Sequence, residues 1–204
     1  PCRSLLYRSC YVNDVPIEHS VVDFLVDSQG RTNLPQAENP SSSQSQIDVF
    51  ALGIRHLVLE GGEIYYNNRK SDLNGDVRDL LFQSTFSSLQ TQYSGSLSYQ
   101  DGHIQWQNAN PVAHSLDARF TATPTQFTLE SAVLKTEKSR FSLQATARNY
   151  AQPLIHGTYH ATLDSGEFRR ALKNSSLPVG LLNVSGAIDY QSDPNRHFLA
   201  SQPL

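Results

Sequence analysis

The sequence predicts a mainly β fold: a long antiparallel meander with one short α-helix. Three observations carry this. Apolar residues recur at every second position in one segment after another from Gln92 to Leu163. Turn-forming residues separate those segments. Apolar residues make up 38 % of the chain and charged residues only 17 %, the balance of a sheet with one wet face rather than of a helical enzyme.

From the N-terminus, residues 11–17 read as a strand interrupted by Pro16. Val21–Val26 reads as a second strand, with Val22, Phe24 and Val26 on one side. Residues 27–35 are turn-rich, with Gly30 suited to positive φ and Pro35 disfavouring helix at Leu34. Residues 36–46 are nearly all Ser, Gln, Asn, Glu and Pro, too polar to offset their ordering entropy, and are expected to be a mobile loop. Residues 1–46 are taken as part of the same unit as the sheet that follows over 47–204.

Strands resume at Ile47. Ile54 to Glu60 carries Ile54, Leu57 and Leu59, and Gly61-Gly62 reads as a tight hairpin. Ile64 to Asn67 follows, then a turn at Asn67-Asn68, then a strand from Leu73 to Phe86 whose alternation is less clean.

The meander proper places Tyr93, Leu97 and Tyr99, then Ile104 and Trp106, on one side. Leu116, Ala118, Phe120 and Ala122 follow, then Phe127 and Leu129. Phe141, Leu143, Ala145 and Ala147 come next, then Ile155, Tyr159, Ala161 and Leu163. Period-2 alternation gathers each set on one face. Turns are expected at Asp101-Gly102, Pro124-Thr125, residues 137–139 and 149–153. Ser165 to Lys173 reads as the helix. Asp164 and Glu167 have capping-box spacing, Phe168, Ala171 and Leu172 form an apolar stripe, and basic residues fill the second half. A last strand runs through Leu182, Val184, Gly186, Ile188 and Tyr190.

The net charge of -3 leaves no electrostatic footprint for nucleic acid. No apolar run reaches the ~18 residues of a membrane span. The absence of methionine reads as an internal piece of a longer protein, whose anchor or export signal would lie upstream. Cys2 and Cys10 match no metal-ligand spacing. On one extended strand they would lie roughly 26 Å apart, so two free thiols are expected, with a disulfide across a turn as the alternative.

Catalytic motifs are missing from the sequence: no GxSxG, P-loop, GxGxxG or HExxH occurs, and no Ser/His/Asp spacing singles out a triad. His156 and His160 would share a strand face about 13 Å apart, too far for one ion. Glu60 and Glu63 flank the expected hairpin and read as solvated. The expectation is a non-enzymatic protein without cofactor or metal. The oily face then remains as the candidate functional surface. Its lining is assigned to Leu97, Tyr99, Ile104, Trp106, Leu116, Phe120, Phe127, Leu129, Phe141, Leu143, Ile155, Tyr159, Val184 and Ile188.

Several segments together resemble a family. VVDFLVD at 21–27 runs into GRTNLP at 30–35. A polar stretch leads to LVLEGGEIYYN at 57–67 and LNG at 73–75. PVG at 178–180 and VSGAIDY at 184–190 follow the helix. This resembles the AsmA superfamily, most closely its TamB-like (translocation and assembly module) members, over 21–190. There a G-x-x-N-L-P stretch, a polar linker and a G-x-I-x-Y hairpin recur. Asp72 stands where that family often has proline. The resemblance implies a curled, open half-pipe, the β-taco, with a hydrophobic groove. It also implies a Gram-negative envelope protein, inner-membrane anchored and extending through the periplasm, with a role in lipid transport and outer membrane biogenesis. Phospholipid acyl chains would be the partners, and outer-membrane assembly proteins a second class. The residues themselves leave three readings open: a lipid conduit, a scaffold adding a strand to β-barrel clients, and a closed β-sandwich binding module.

Overall fold

The computed structural model describes residues 12–33, 50 and 53–191. The expectations for Cys2, Cys10, Ile47 and the 36–46 loop lie outside the described residues. The strands are β1 (Val12–Glu18), β2 (Val21–Val26), β3 (Ile54–Asn68), β4 (Leu73–Ser87), β5 (Gln92–Trp106), β6 (Val112–Ala122), β7 (Gln126–Lys135), β8 (Arg140–Arg148), β9 (Leu154–Asp164) and β10 (Leu181–Gln191). The helix α1 (Ser165–Ala171) joins β9 to β10. All ten strands form one sheet, in which β3 to β10 pair consecutively as an antiparallel meander. The sheet is not closed or strongly curled.

One edge departs from the expected pattern. Both β1 and β2 run parallel to β3, against residues 54–60 and 63–68 respectively. They act as one kinked edge strand, broken where His19 takes φ 49°. Parallel pairing cannot be closed by a tight turn and needs a long return connection. The chain between Val26 and Ile54 makes that connection.

The expected hairpin at Gly61-Gly62 does not form, because β3 passes straight through it. Its register against β4 shifts between Leu59, Gly62 and Ile64. Glu60 and Glu63 therefore lie within a strand rather than at a hairpin tip. At Gly61 φ is +62°, and a Cβ there would meet His19 Nδ1 at 2.9 Å, so only glycine suits this crossing point. The expected turn at Asp101-Gly102 is likewise interior to β5, with a register shift against β6 between Tyr99 and Gly102. Asp79 in β4 takes φ 52°, which explains the poor alternation there, and β7 shifts against β8 between Leu129 and Ala132. Each bulge adds a residue and switches which parity faces which side. In a sequence that switch looks like a turn between two short strands.

The other turns fall where expected, at residues 124–125, 137–139 and 149–153. The helix ends at Ala171, two residues short of the expected Lys173. Its close is a Schellman motif: Asn174 N–H donates to Arg169 O at 3.1 Å, Lys173 N–H donates to Arg170 O at 3.4 Å, and Lys173 has φ 53°. The Asp164 cap forms, its Oδ1 accepting from Glu167 N–H at 2.8 Å. The capping box does not close, because the Glu167 carboxylate turns to the β7–β8 turn instead.

Candidate functional site: the apolar face

Cross-strand partners in a sheet share a face, so the register sorts the expected lining directly. One row reads Leu59, Phe82, Leu97, Ala118, Ala132, Leu143, Tyr159, Gly186. A second reads Tyr99, Leu116, Leu134, Phe141, Ala161, Val184. Gly95, Phe120, Leu129, Ala145, Gly157 and Ile188 form a third, and Tyr93, Ala122, Phe127, Ala147, Ile155 and Tyr190 a fourth. Beyond the bulge in β5, Ile104 pairs with Gly75 and Val112, and Trp106 with Leu73. All fourteen residues assigned to the lining therefore lie on the same side of the sheet.

A single sheet must bury apolar area without a second layer, and the packing shows how. Phe120 stacks between Phe82 and Phe127, with ring centroids 5.8 and 5.7 Å apart and planes within 14° and 21° of parallel. Phe141 stacks on Tyr159 at 6.2 Å. Small residues sit beneath the rings: a Cβ on Gly95 would lie 2.7 Å from Phe120 Cζ, and one on Gly186 2.8 Å from Tyr159 Oη. The rings thus lean across neighbouring strands and cover backbone. Leu80, Phe86, Tyr99, Ala118 and Ala161 become buried this way, yet among the described residues no large side chain falls below 2 % exposure. Trp106 is 52 % exposed, and Ile104 and Ile188 are also exposed. Trp106 Nε1 donates to Ser71 O at 3.1 Å, which fixes the indole at the rim.

The helix does not seal this face as its stripe suggests. Of that stripe Ala171 is buried, while Phe168 is 40 % and Leu172 44 % exposed. Instead α1 lies across one end of the sheet, bound to turns. Asn110 donates to Ala171 O (2.7 Å, N–H) and Arg170 O (2.9 Å, Nδ2), and Lys173 Nζ donates to Asn108 O at 2.6 Å.

At the β5 bulge the apolar face holds a polar pair. Tyr99 Oη lies 2.9 Å from His114 Nδ1. In the neutral Nε2–H tautomer the hydroxyl donates to Nδ1. Burial holds the His114 pKa below its usual value and raises that of Tyr99, so both groups are driven toward their neutral forms.

The opposite face carries a polar row that sequence reasoning missed. Tyr65, Asp76 and His103 are cross-strand neighbours, as are Arg78 and Asp101. His103 Nδ1 lies 3.3 Å from Asp76 Oδ2, Arg78 Nε 3.5 Å from the same oxygen, and Tyr65 Oη donates to Glu63 Oε2 at 2.6 Å. The Glu63 hydrogen bond raises the Tyr65 pKa, and Asp76 raises that of Arg78. The signal was present as i, i+2 polar pairs on three strands, but reading it required the bulge positions. His156 and His160 lie on this face too, and His156 Nδ1 is 2.5 Å from Asp189 Oδ1 across β9–β10. Among the described residues no group of three or more His, Cys, Asp or Glu could hold a metal ion.

In comparisons with known proteins, no family model, no curated protein and no solved structure matches the chain.

Proposed function

We propose that this chain is a non-enzymatic segment of a periplasmic protein, tethered to the inner membrane, whose apolar face carries phospholipid acyl chains between the inner and outer membranes. The observation that carries the reading is the continuous apolar face, which meets no second layer among the described residues. Each methylene taken from water onto such a face is worth about 0.8 kcal/mol, so an acyl chain needs a continuous lining rather than a specific residue. The resemblance to TamB-like members of the AsmA superfamily supports the same occupant and location. The half-pipe belongs to this proposal as the shape the sheet would take around lipid: it is not strongly curled here, and the bulges in β3, β4, β5 and β7 are where it would bend.

The test is to purify the chain from a diderm host and analyse bound phospholipid by mass spectrometry. Co-purifying phospholipid, displaced by fluorescent lipid, is the expected result. A lipid-free chain that takes up no fluorescent lipid overturns it. A second reading, a scaffold that adds a strand to β-barrel clients, is favoured by the outer sides of β1 and β10, with which no strand pairs among the described residues. Photocrosslinking from residues of β1 separates the two, since capture of lipid alone removes it.

A further inference from the structure

We infer that β10 is a dimerisation edge, across which a second copy of this chain adds its own β10 antiparallel with Gly186 on the two-fold axis. The two edges of the sheet differ in kind. The β1–β2 edge is blunted: it contains Pro16, which has no N–H to donate, the charges Asp14, Glu18 and Asp23, and the break at His19. Strand β10 runs for eleven residues, LLNVSGAIDYQ, with no proline, no lysine or arginine, and Asp189 as its single charge. Among the described residues no strand pairs with its outer side. A long edge of this composition is a template for strand addition.

The strand is also its own complement. With Gly186 on the axis, all of residues 181–191 pair, and residues of like parity meet, so the apolar side continues unbroken into the second copy. Leu182 then faces Tyr190 of the second copy, and Val184 faces its Ile188. Leu182 and Ile188 are exposed on the isolated edge, and each gains an apolar neighbour. On the polar side Asn183 faces Asp189 of the second copy, giving each carboxylate an amide instead of a like charge. Aspartate meets aspartate only in a register that pairs residues 187–191 alone. The axis has room because Gly186 carries no side chain and its apolar side is roofed by its own Tyr159.

The test uses the whole chain with C2S/C10S as background. Sedimentation equilibrium should show a dimer. The exposed positions Ser185 and Ala187 face each other across the axis, so S185C/A187C should give a disulfide-linked dimer under mild oxidation. N183C alone places its two thiols roughly 20 Å apart and should not link. N183D keeps the oxygen that accepts from Thr162 Oγ1 (2.9 Å) but sets two like-charge pairs across the axis, and should weaken the dimer roughly three- to tenfold. N183K should strengthen it. A chain that stays monomeric at its highest soluble concentration, or that links through N183C as readily as through S185C/A187C, overturns the inference.

Discussion

The carboxylate of Glu167 in α1 accepts a 2.6 Å hydrogen bond from Ser139 Oγ in the β7–β8 turn, and both residues are buried. Thr136 Oγ1 donates to the same oxygen at 2.7 Å. Charge-assisted bonds of this kind are stronger than neutral ones, and their loss takes the carboxylate acceptor from two hydroxyl donors. Glu167→Ala should therefore cost about 2–3 kcal/mol and Glu167→Gln about 1 kcal/mol. Urea unfolding midpoints at unchanged slope measure this, and a neutral Glu167→Ala would show that α1 is held elsewhere.

Gly61 meets His19 at the point where β1 gives way to β2. Gly61→Ala should cost about 1–2 kcal/mol from backbone strain at φ +62° together with the clash on the imidazole. Adding His19→Ala should recover only the steric part. Full recovery in the double variant would mean that the backbone tolerates alanine there.

His114 gives stability a pH dependence of defined sign. Burial is the largest cause lowering its pKa, followed by the like charge of His103, while a backbone hydrogen bond and Asp76 act the other way. The unfolded chain thus takes up a proton that the folded chain resists. The contribution is complete above the unfolded value of about 6.5 and is lost as pH falls from there through the folded value. His114→Gln keeps an acceptor for Tyr99 and should flatten stability between about pH 7 and pH 5. An unchanged profile in that variant would place the acid sensitivity at other groups.

Trp106 is the only tryptophan, sits on the apolar face, and is half exposed. Its emission should be that of a solvated indole and open to aqueous quencher. Phospholipid should shift it to the blue, and lipids brominated along the acyl chain should quench it. Lipid that binds without altering this emission would place the acyl chains away from the β5 end of the face.

Within each strand the apolar set was legible in sequence, because a period of two needs no knowledge of partners, whereas the bulge between Tyr99 and Gly102 puts Ile104 and Trp106 on the side of Leu97 and Tyr99. The turns that bound β7, β8 and the start of β9, and the Asp164 cap, were legible too, because they follow from local turn and capping chemistry. The two expected hairpin turns that do not form, at Gly61-Gly62 and Asp101-Gly102, have one common origin. Leu59 to Ile64 and Tyr99 to Ile104 each switch parity, and a switch is produced equally by a turn joining two short strands and by a bulge within a long one. Only hydrogen bonding to the neighbouring strand distinguishes them.

Alternation read along the chain is enough to establish a sheet with one apolar and one polar side, because side chains alternate along any strand whatever it pairs with. Tertiary structure alone decided three further matters. It placed β1 and β2 parallel to β3, since parallel ladders join residues far apart in the chain and leave no local signal. It assembled Tyr65, Asp76 and His103 into one row, since that row exists only in the bulged register. And it laid α1 across the turns at the end of the sheet, because the Ser139 and Thr136 hydroxyls of the β7–β8 turn offered Glu167 better partners than its own helix cap did.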